Sequence, residues 1–302
     1  MKELKRIASL VGGLSEIEFK VLETIERFAD IGRIATPDTI ARSLKLGRDY
    51  VDRMLEELNR RRLVWSPRGR GREYMLNFTG LDMLALHSVS RRGILTHIGV
   101  KIGMGKEADI YLGRTGEGNV VGIKFYRIGR SSIKKHRRLR ESSLEAANYL
   151  VSSKLAAQRE IQALRILYPE GVAVPAPVYR NRHMVVTSII EGELLVRLDS
   201  LSDPEALLQG IVKSIKKALK AGVIHCDLSP YNILVTPGEE HVIIDWPQWV
   251  RPSHPNAQDY LRRDVENVAA FFKRRFGVLS SVDELIGWVL RSVGASLTDD
   301  QV

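Results

Sequence analysis

The stretch His225-Cys226-Asp227-Leu228-Ser229-Pro230-Tyr231-Asn232, followed 13 residues after its Asn by Asp245 in Val242-Ile243-Ile244-Asp245-Trp246-Pro247, decides how this chain is read. One acid to orient a hydroxyl, then an Asn and a second acid spaced to hold a divalent cation on a nucleoside triphosphate, is the set that phosphoryl transfer asks for. That reaction needs positioning and charge neutralisation more than covalent work. Mg²⁺ keeps several waters and takes only a few hard oxygen ligands from a protein. Asn232 and Asp245 fit the metal role and Asp227 the catalytic one. The apolar runs Ile233-Leu234-Val235 and Val242-Ile243-Ile244, separated by Thr236-Pro237-Gly238-Glu239-Glu240, predict a hairpin. Its strands would bring Asn232 and Asp245 to one end, where a single ion could touch both. A lone His-x-Asp is usually a capped turn, and a lone Asp after a strand is usually solvated. Here the spacing and the strand context agree.

A phosphate cover and a fixed cation lie upstream. Ile102-Gly103-Met104-Gly105-Lys106-Glu107-Ala108-Asp109-Ile110-Tyr111-Leu112 is expected to bend at its two glycines between extended segments, where bare backbone can approach phosphate oxygens. By itself this is as readily a plain turn. Twelve residues after Leu112 comes Lys124, on the apolar strand Val120-Val121-Gly122-Ile123-Lys124-Phe125-Tyr126. A buried Lys is costly unless paired, and the expected partner is Glu160 on the helical stretch Lys154 to Leu164. Taken singly, Glu160 would more often be a solvated helix residue. The ordered set of glycine turn, Lys, Glu, Asp, Asn and Asp favours a nucleotide site.

On Gly103 to Tyr111, Lys124, Arg159-Glu160, His225 to Asn232 and Ile244-Asp245-Trp246-Pro247, the chain resembles the RIO-type atypical serine protein kinases. The likeness is to the branch that carries a winged helix ahead of the kinase domain, in its compact, archaeal-like form, and it spans nearly the whole chain. The resemblance implies that Asp227 is the catalytic acid or base and that Asn232 and Asp245 bind metal. It implies that Lys124 meets the α and β phosphates and pairs with Glu160, and that the backbone near Ser188-Ile189-Ile190-Glu191, Ile190 in particular, meets adenine. Gly103, Gly105 and Lys106 would cover the phosphates. ATP with Mg²⁺ or Mn²⁺ is the implied cofactor set, and Asp245 could also accept the phosphoryl group transiently. The implied role is an ATPase or autophosphorylating switch acting on the small ribosomal subunit precursor and its rRNA.

Departures from ordinary protein kinases are specific. Ala108 stands for the third loop glycine, Cys226 for the Arg before the catalytic Asp, and Trp246-Pro247 for Phe-Gly after the metal Asp. Ser229 occupies the place where Ser/Thr kinases usually carry Lys, so Lys106 is expected to supply the missing charge. Only 57 residues follow Asp245, with no Ala-Pro-Glu motif, which predicts a truncated C-lobe without a peptide-docking groove. Two helices are expected there, one over Asn256 to Val268 with Val265, Val268, Phe271 and Phe272 inward, the other from about Ser281 to Val293.

The first third reads differently. Helices are expected over Ser15 to Ala29, Pro37 to Leu44 with Thr36 as cap, and Arg48 to Arg62 with Val51, Met54, Leu55 and Leu58 on one stripe. Leu63 to Trp65 and Glu73 to Asn77 then flank a basic turn, and three helices followed by such a hairpin make a winged helix-turn-helix. A further helix over Leu81 to Val89 leads to the linker Arg91-Arg92-Gly93. Six arginines and no acid lie between Arg60 and Arg72, and eight Lys or Arg and no acid between Lys124 and Arg140. Both tracts suit phosphate backbones, a solvated wing and a bare loop being the plainer alternatives. Ser131, Ser132, Ser142 and Ser143 are the candidate autophosphorylation sites that the resemblance suggests.

The fold class expected is thus α+β, with a winged helix-turn-helix domain over 1–92 and a truncated bilobal protein-kinase-like domain over 93–302, its N-lobe about 93–187 and its C-lobe about 192–302. A net charge of +10 favours an anionic partner, RNA first. Cys226 is the single cysteine, which excludes an internal disulfide and a cysteine-rich zinc site. With no long apolar run and no signal-peptide pattern, a cytoplasmic protein without membrane contact is expected. Two other readings stay open: a small-molecule phosphotransferase of the aminoglycoside or homoserine kinase type, and a catalytically inactive nucleic-acid-binding regulator.

Overall fold

The computed structural model describes residues 13–66, 72–129 and 143–291, with side chains in the last stretch described from 148 onward. The backbone divides into two compact units, Met1–Gln158 with Tyr179–Val186, and Arg159–Val178 with Thr187–Val302.

In the first unit, helix α1 (Glu16–Asp30) starts at Ser15, whose side chain and Glu18 form a reciprocal capping box. Helix α2 (Pro37–Leu44) starts at Thr36, and its leading Pro gives up a hydrogen bond that no helix start can use. Helix α3 (Arg48–Arg60) buries the expected stripe of Val51, Met54, Leu55 and Leu58. Strands β1 (Val64–Trp65) and β2 (Met75–Leu76) pair antiparallel, the second being two residues long where five, Glu73 to Asn77, were expected. Helix α4 (Phe78–Arg91) begins three residues before the expected Leu81, because Asn77 caps it by accepting the Gly80 N–H at 3.0 Å. Gly80 is required there: a Cβ would stand 2.2 Å from the Leu63 carbonyl oxygen.

A five-stranded sheet follows: β3 (Leu95–Met104), β4 (Ala108–Thr115), β5 (Val120–Tyr126), β6 (Pro177–Asn181) and β7 (Met184–Ser188), in the order β3-β4-β5-β7-β6. One apolar cluster runs from Leu22, Leu55 and Leu84 of the helices to Ile123, Phe125 and Met184 of the sheet. Burying those faces against one another is the main stabilising term available to this unit. Helix α5 (Ser143–Leu167) spans the division between the units.

The second unit holds a three-stranded sheet ordered β10-β9-β8, from β8 (Glu193–Leu194), β9 (Ile233–Val235) and β10 (His241–Ile243). Helices α6 (Pro204–Lys220), α7 (Ala257–Phe276) and α8 (Val282–Leu290) surround it in sequence. Helix α7 buries Leu261, Val265, Val268, Phe271 and Phe272, the face expected from its periodicity. Ser281 caps α8 by accepting the Glu284 N–H, so the helix opens one residue later than expected. Residues 292 and 293 of that expected helix lie outside the described residues. No described helix is long and apolar enough to cross a membrane.

Candidate active site

The hairpin predicted from sequence is present, and its register assembles the acidic side of the site. Ile233 of β9 lies opposite Ile243 of β10, and the Ile244 N–H continues the ladder to the Asn232 carbonyl at 2.9 Å. Asn232 and Asp245 therefore flank the same end of one hairpin. Asn232 closes a 3₁₀ turn (Pro230–Asn232), and its Nδ2 donates to the Asp227 carbonyl at 2.8 Å. With its donor committed, the amide leaves Oδ1 as its acceptor. A hard oxygen from Asn232 beside the Asp245 carboxylate suits Mg²⁺, which needs no larger protein cage. Indeed, no cluster of three or more His, Cys, Asp or Glu able to hold a metal exists among the described residues.

Asp227 is exposed. Partial desolvation, and then the charge of Asp245, raises its pKa above the ordinary carboxylate value. The backbone around it is held in a demanding conformation. Cys226 has φ 70° and Asp245 φ 66°, both in the left-handed region that side chains rarely adopt. Each such residue costs about 1–3 kcal/mol and persists only where its surroundings over-determine it.

Those surroundings come from α7, whose sequence predicts only a core helix. Asp264 is 2% exposed and accepts the Cys226 N–H at 2.8 Å and the Leu228 N–H at 2.9 Å. Arg263 donates to the Cys226 carbonyl, and Asn267 donates to the Leu228 carbonyl at 3.1 Å. Both peptide faces beside Asp227 are thus clamped by three residues of one helix. Burial pushes Asp264 up to a pKa of about 6, against the pull of its two backbone donors. The only signal in the sequence was an unpaired acid on the apolar face of α7, one residue before Val265.

His225 completes the loop. Its Nδ1 accepts the Asp227 N–H at 3.3 Å and its Nε2 donates to the Ile244 carbonyl at 3.1 Å, which fixes the tautomer. The ring lies 4.4 Å from that of Trp246, which is fully buried and donates to the Ile243 carbonyl at 3.1 Å. Trp246-Pro247 in place of Phe-Gly therefore packs the turn at Asp227 against the turn at Asp245. Arg159 on α5 donates to the carbonyls of Pro247 and Trp249, while the Trp249 indole donates back to the Arg159 carbonyl at 2.9 Å. Glu160 beside it is buried. Ile190 is half-buried in the segment after Ser188, whose N–H donates to the Ala176 carbonyl at 2.9 Å. Cys226 is a buried thiol whose pKa rises to about 11 through desolvation and then the Asp264 charge, which suits the packing role expected for it.

In the first unit the glycine segment differs from expectation. Gly103 remains in β3, opposite Ile110, and the bend is confined to Gly105–Glu107. Register shifts in β3 between Lys101 and Gly103 absorb the irregularity, so only Gly105 serves the turn. Its N–H donates to the Ala108 carbonyl at 2.9 Å, and Lys106 is exposed at the tip. Lys124 lies opposite Ile110 on β5, half-buried, with Nζ 4.7 Å from the Tyr126 ring centre. The structure brings Gly103, Gly105, Lys106 and Lys124 into the first unit. It brings Asp227, Asn232 and Asp245 together in the second, which also holds Glu160 and Ile190.

The wing arginines are partly spoken for: Arg60 and Arg61 pair with Glu57, and Arg72 with Asp52. The wing tip at 67–71 and the candidate serines Ser131, Ser132 and Ser142 lie outside the described residues, while Ser143 opens α5 with its side chain not described.

Comparison with known proteins bears on the family and the fold. A family model described as the RIO domain matches residues 109–285, and one described as Rio2, N-terminal, matches residues 11–92. The serine/threonine-protein kinase RIO2 of Caenorhabditis elegans is 34% identical over 271 residues, 89% of this chain and 51% of the relative. The RIO-type serine/threonine-protein kinase Rio2 of Methanocaldococcus jannaschii is 38% identical over 208 residues, 67% of this chain and 77% of the relative. The chain spans about half the length of its relatives from C. elegans and Dictyostelium discoideum. Among solved structures, the Rio2 kinase–ADP/Mg²⁺–phosphoaspartate complex from Chaetomium thermophilum has a TM-score of 0.79 at 28% identity, covering 97% of this chain and 94% of that one.

Proposed function

The chain belongs to the RIO kinase family, with the Rio2 type of N-terminal domain, and on that premise we propose that it is an ATP-dependent atypical serine/threonine kinase with ATPase activity. The observation that carries the reading is the convergence of Asp227, Asn232 and Asp245 on one end of the β9–β10 hairpin. Asp227 accepts the proton of the attacking hydroxyl or water. Asn232 Oδ1 and the Asp245 carboxylate hold Mg²⁺, which when bound neutralises charge developing on the phosphoryl oxygens. The loop Gly105–Glu107 with Lys106 covers the phosphates, Lys124 meets the α and β phosphates and pairs with Glu160, and the backbone near Ile190 meets adenine.

Asp245 also serves as a transient phosphoryl acceptor in this proposal. Its carboxylate oxygen attacks the γ-phosphorus, the bond to the ADP oxygen breaks, and water later hydrolyses the acyl phosphate to regenerate Asp245 and release phosphate. The support is the solved relative, named as an ADP/Mg²⁺–phosphoaspartate complex.

The partner follows as a further part of the proposal: the small ribosomal subunit precursor and its rRNA, met in the cytoplasm through the winged helix and the basic tracts. The net charge of +10 and the resemblance to RIO-type kinases support it. The test is ATP turnover and self-labelling with Mg²⁺, for the wild type and Asp227→Asn, with and without small-subunit precursor particles. Turnover lost in the variant and altered by the particles is the expected result. A wild type inert under every condition would return the chain to the inactive-regulator reading, and phosphorylation of an aminoglycoside or homoserine would favour a small-molecule enzyme.

A further inference from the structure

A buried charged network in the first unit is not used by the chemistry above. Arg127, one residue past β5, is 7% exposed and grips Asp82 of α4 with both terminal nitrogens, at 2.6 and 2.8 Å. Asp82 is 2% exposed, and His183, fully buried, bonds its Oδ1 through Nε2 at 2.8 Å. The Phe78 and Phe125 rings lie 5.2 and 5.5 Å from the guanidinium, closing the site to water. Burial would raise the Asp82 pKa, but Arg127 and His183 overcome it and hold the carboxyl below its ordinary value, so the pair is ionic.

The other end of Arg127 reaches the phosphate loop. Its Nε donates to Asp109 Oδ2 at 3.4 Å, and its backbone N–H donates to the Glu107 carbonyl. Lys101 on β3 pairs with the same Asp109. The C-terminal side of the turn Gly105–Glu107 is therefore held by the main chain of Arg127 at Glu107, beside the β4–β5 pairing, and by the side chains of Arg127 and Lys101 at Asp109. That arginine's orientation is set by a carboxylate from the last helix of the N-terminal domain. Its strand carries Lys124 three residues earlier, so the grip also sets the end of the strand that presents this cation.

We infer that Asp82 is a positioning residue for the phosphate loop: it touches no nucleotide, and acts by holding the Arg127 guanidinium against Asp109, the residue that follows the turn and Ala108. The N-terminal domain is then part of the nucleotide site's rigidity as well as a contact surface. Removing the Asp82 charge frees Arg127 to turn, and the loop loses its fixed edge. The inference rests on the proposed nucleotide reading of the loop, and the experiment separates the two.

The affinities of a non-hydrolysable ATP analogue with Mg²⁺ and of adenosine are measured by calorimetry for the wild type and Asp82→Asn. Amide hydrogen exchange is followed over 105–109 and, as a control, over α7. The expected outcome is a loss of about tenfold in analogue affinity with adenosine affinity held within about twofold, and faster exchange confined to the loop. A merely structural role would weaken both ligands together and loosen α7 as well, and that result, or no loss for either ligand, overturns the inference. If Asp82→Asn does not fold, Asp82→Glu keeps the charge but displaces the grip by one methylene. The same selective loss is expected of it, and unchanged selectivity counts against the inference. A wild type that binds no analogue sinks the nucleotide reading itself.

Discussion

Asp264 Oδ1 accepts the backbone N–H of Leu228 at 2.9 Å, and through this bond helix α7 sets the peptide that follows Asp227. Its other oxygen takes the Cys226 N–H, so one carboxylate spans Asp227 from both sides. Replacing Asp264 with Ala leaves two buried donors without acceptors, at about 1–3 kcal/mol each. Asp264→Ala is expected to lower the urea midpoint and to lower kcat more than it raises the KM for ATP. Equal loss in the two kinetic constants would point to damage beyond the loop.

The same residue makes stability depend on pH in a defined direction. Its folded pKa of about 6 stands above the ordinary 3.8, so between those values the folded state holds a proton that the unfolded chain has released. Stability therefore falls as pH rises from about 4 to about 6 and is level above, by an amount of order 3 kcal/mol at most. Denaturant titrations at pH 4, 5, 6 and 7 read the slope, and Asp264→Asn should remove this component of it.

Asp227→Asn keeps the shape of the loop and removes the proton acceptor. Turnover is expected to fall by about 10²–10⁴-fold while the dissociation constant for ATP stays close to that of the wild type. Single-turnover rates together with equilibrium binding check both halves of the statement.

Asp245→Asn tolerates the same left-handed backbone as Asp, since short polar side chains visit that region most readily. The fold should survive, and the half-saturating Mg²⁺ concentration should rise by at least about tenfold. The hydroxylamine-sensitive label expected on the wild type should vanish. A label that persists in this variant would place the acyl phosphate on another residue.

Cys226 should be inert in the native protein. It is 5% exposed and its pKa is raised to about 11, so at pH 8 it is a buried thiol and not a thiolate. Reaction with a chromogenic disulfide should proceed only at the rate of unfolding and become fast in denaturant.

The sequence by itself determined the elements whose signals are local. Thr36-Pro37 and Ser15-x-x-Glu18 start helices because their side chains satisfy N–H groups within three residues. The spacing from Asn232 to Asp245 was enough to foresee a hairpin with both residues at one end, since strand pairing is a matter of register over a short loop. The family likeness was legible from the same motifs. Tertiary structure alone decided the partners that lie far apart in the chain. Asp264 and Cys226 are separated by 38 residues and Arg127 and Asp82 by 45, and nothing in the local pattern marks a carboxylate on an apolar helix face as a clamp. It also decided that Gly103 stays in its strand while Gly105 turns, because that choice depends on the pairing with Ile110 across the sheet. Buried charges must find partners wherever the fold supplies them, and the fold, not the neighbouring sequence, selects which residues those are.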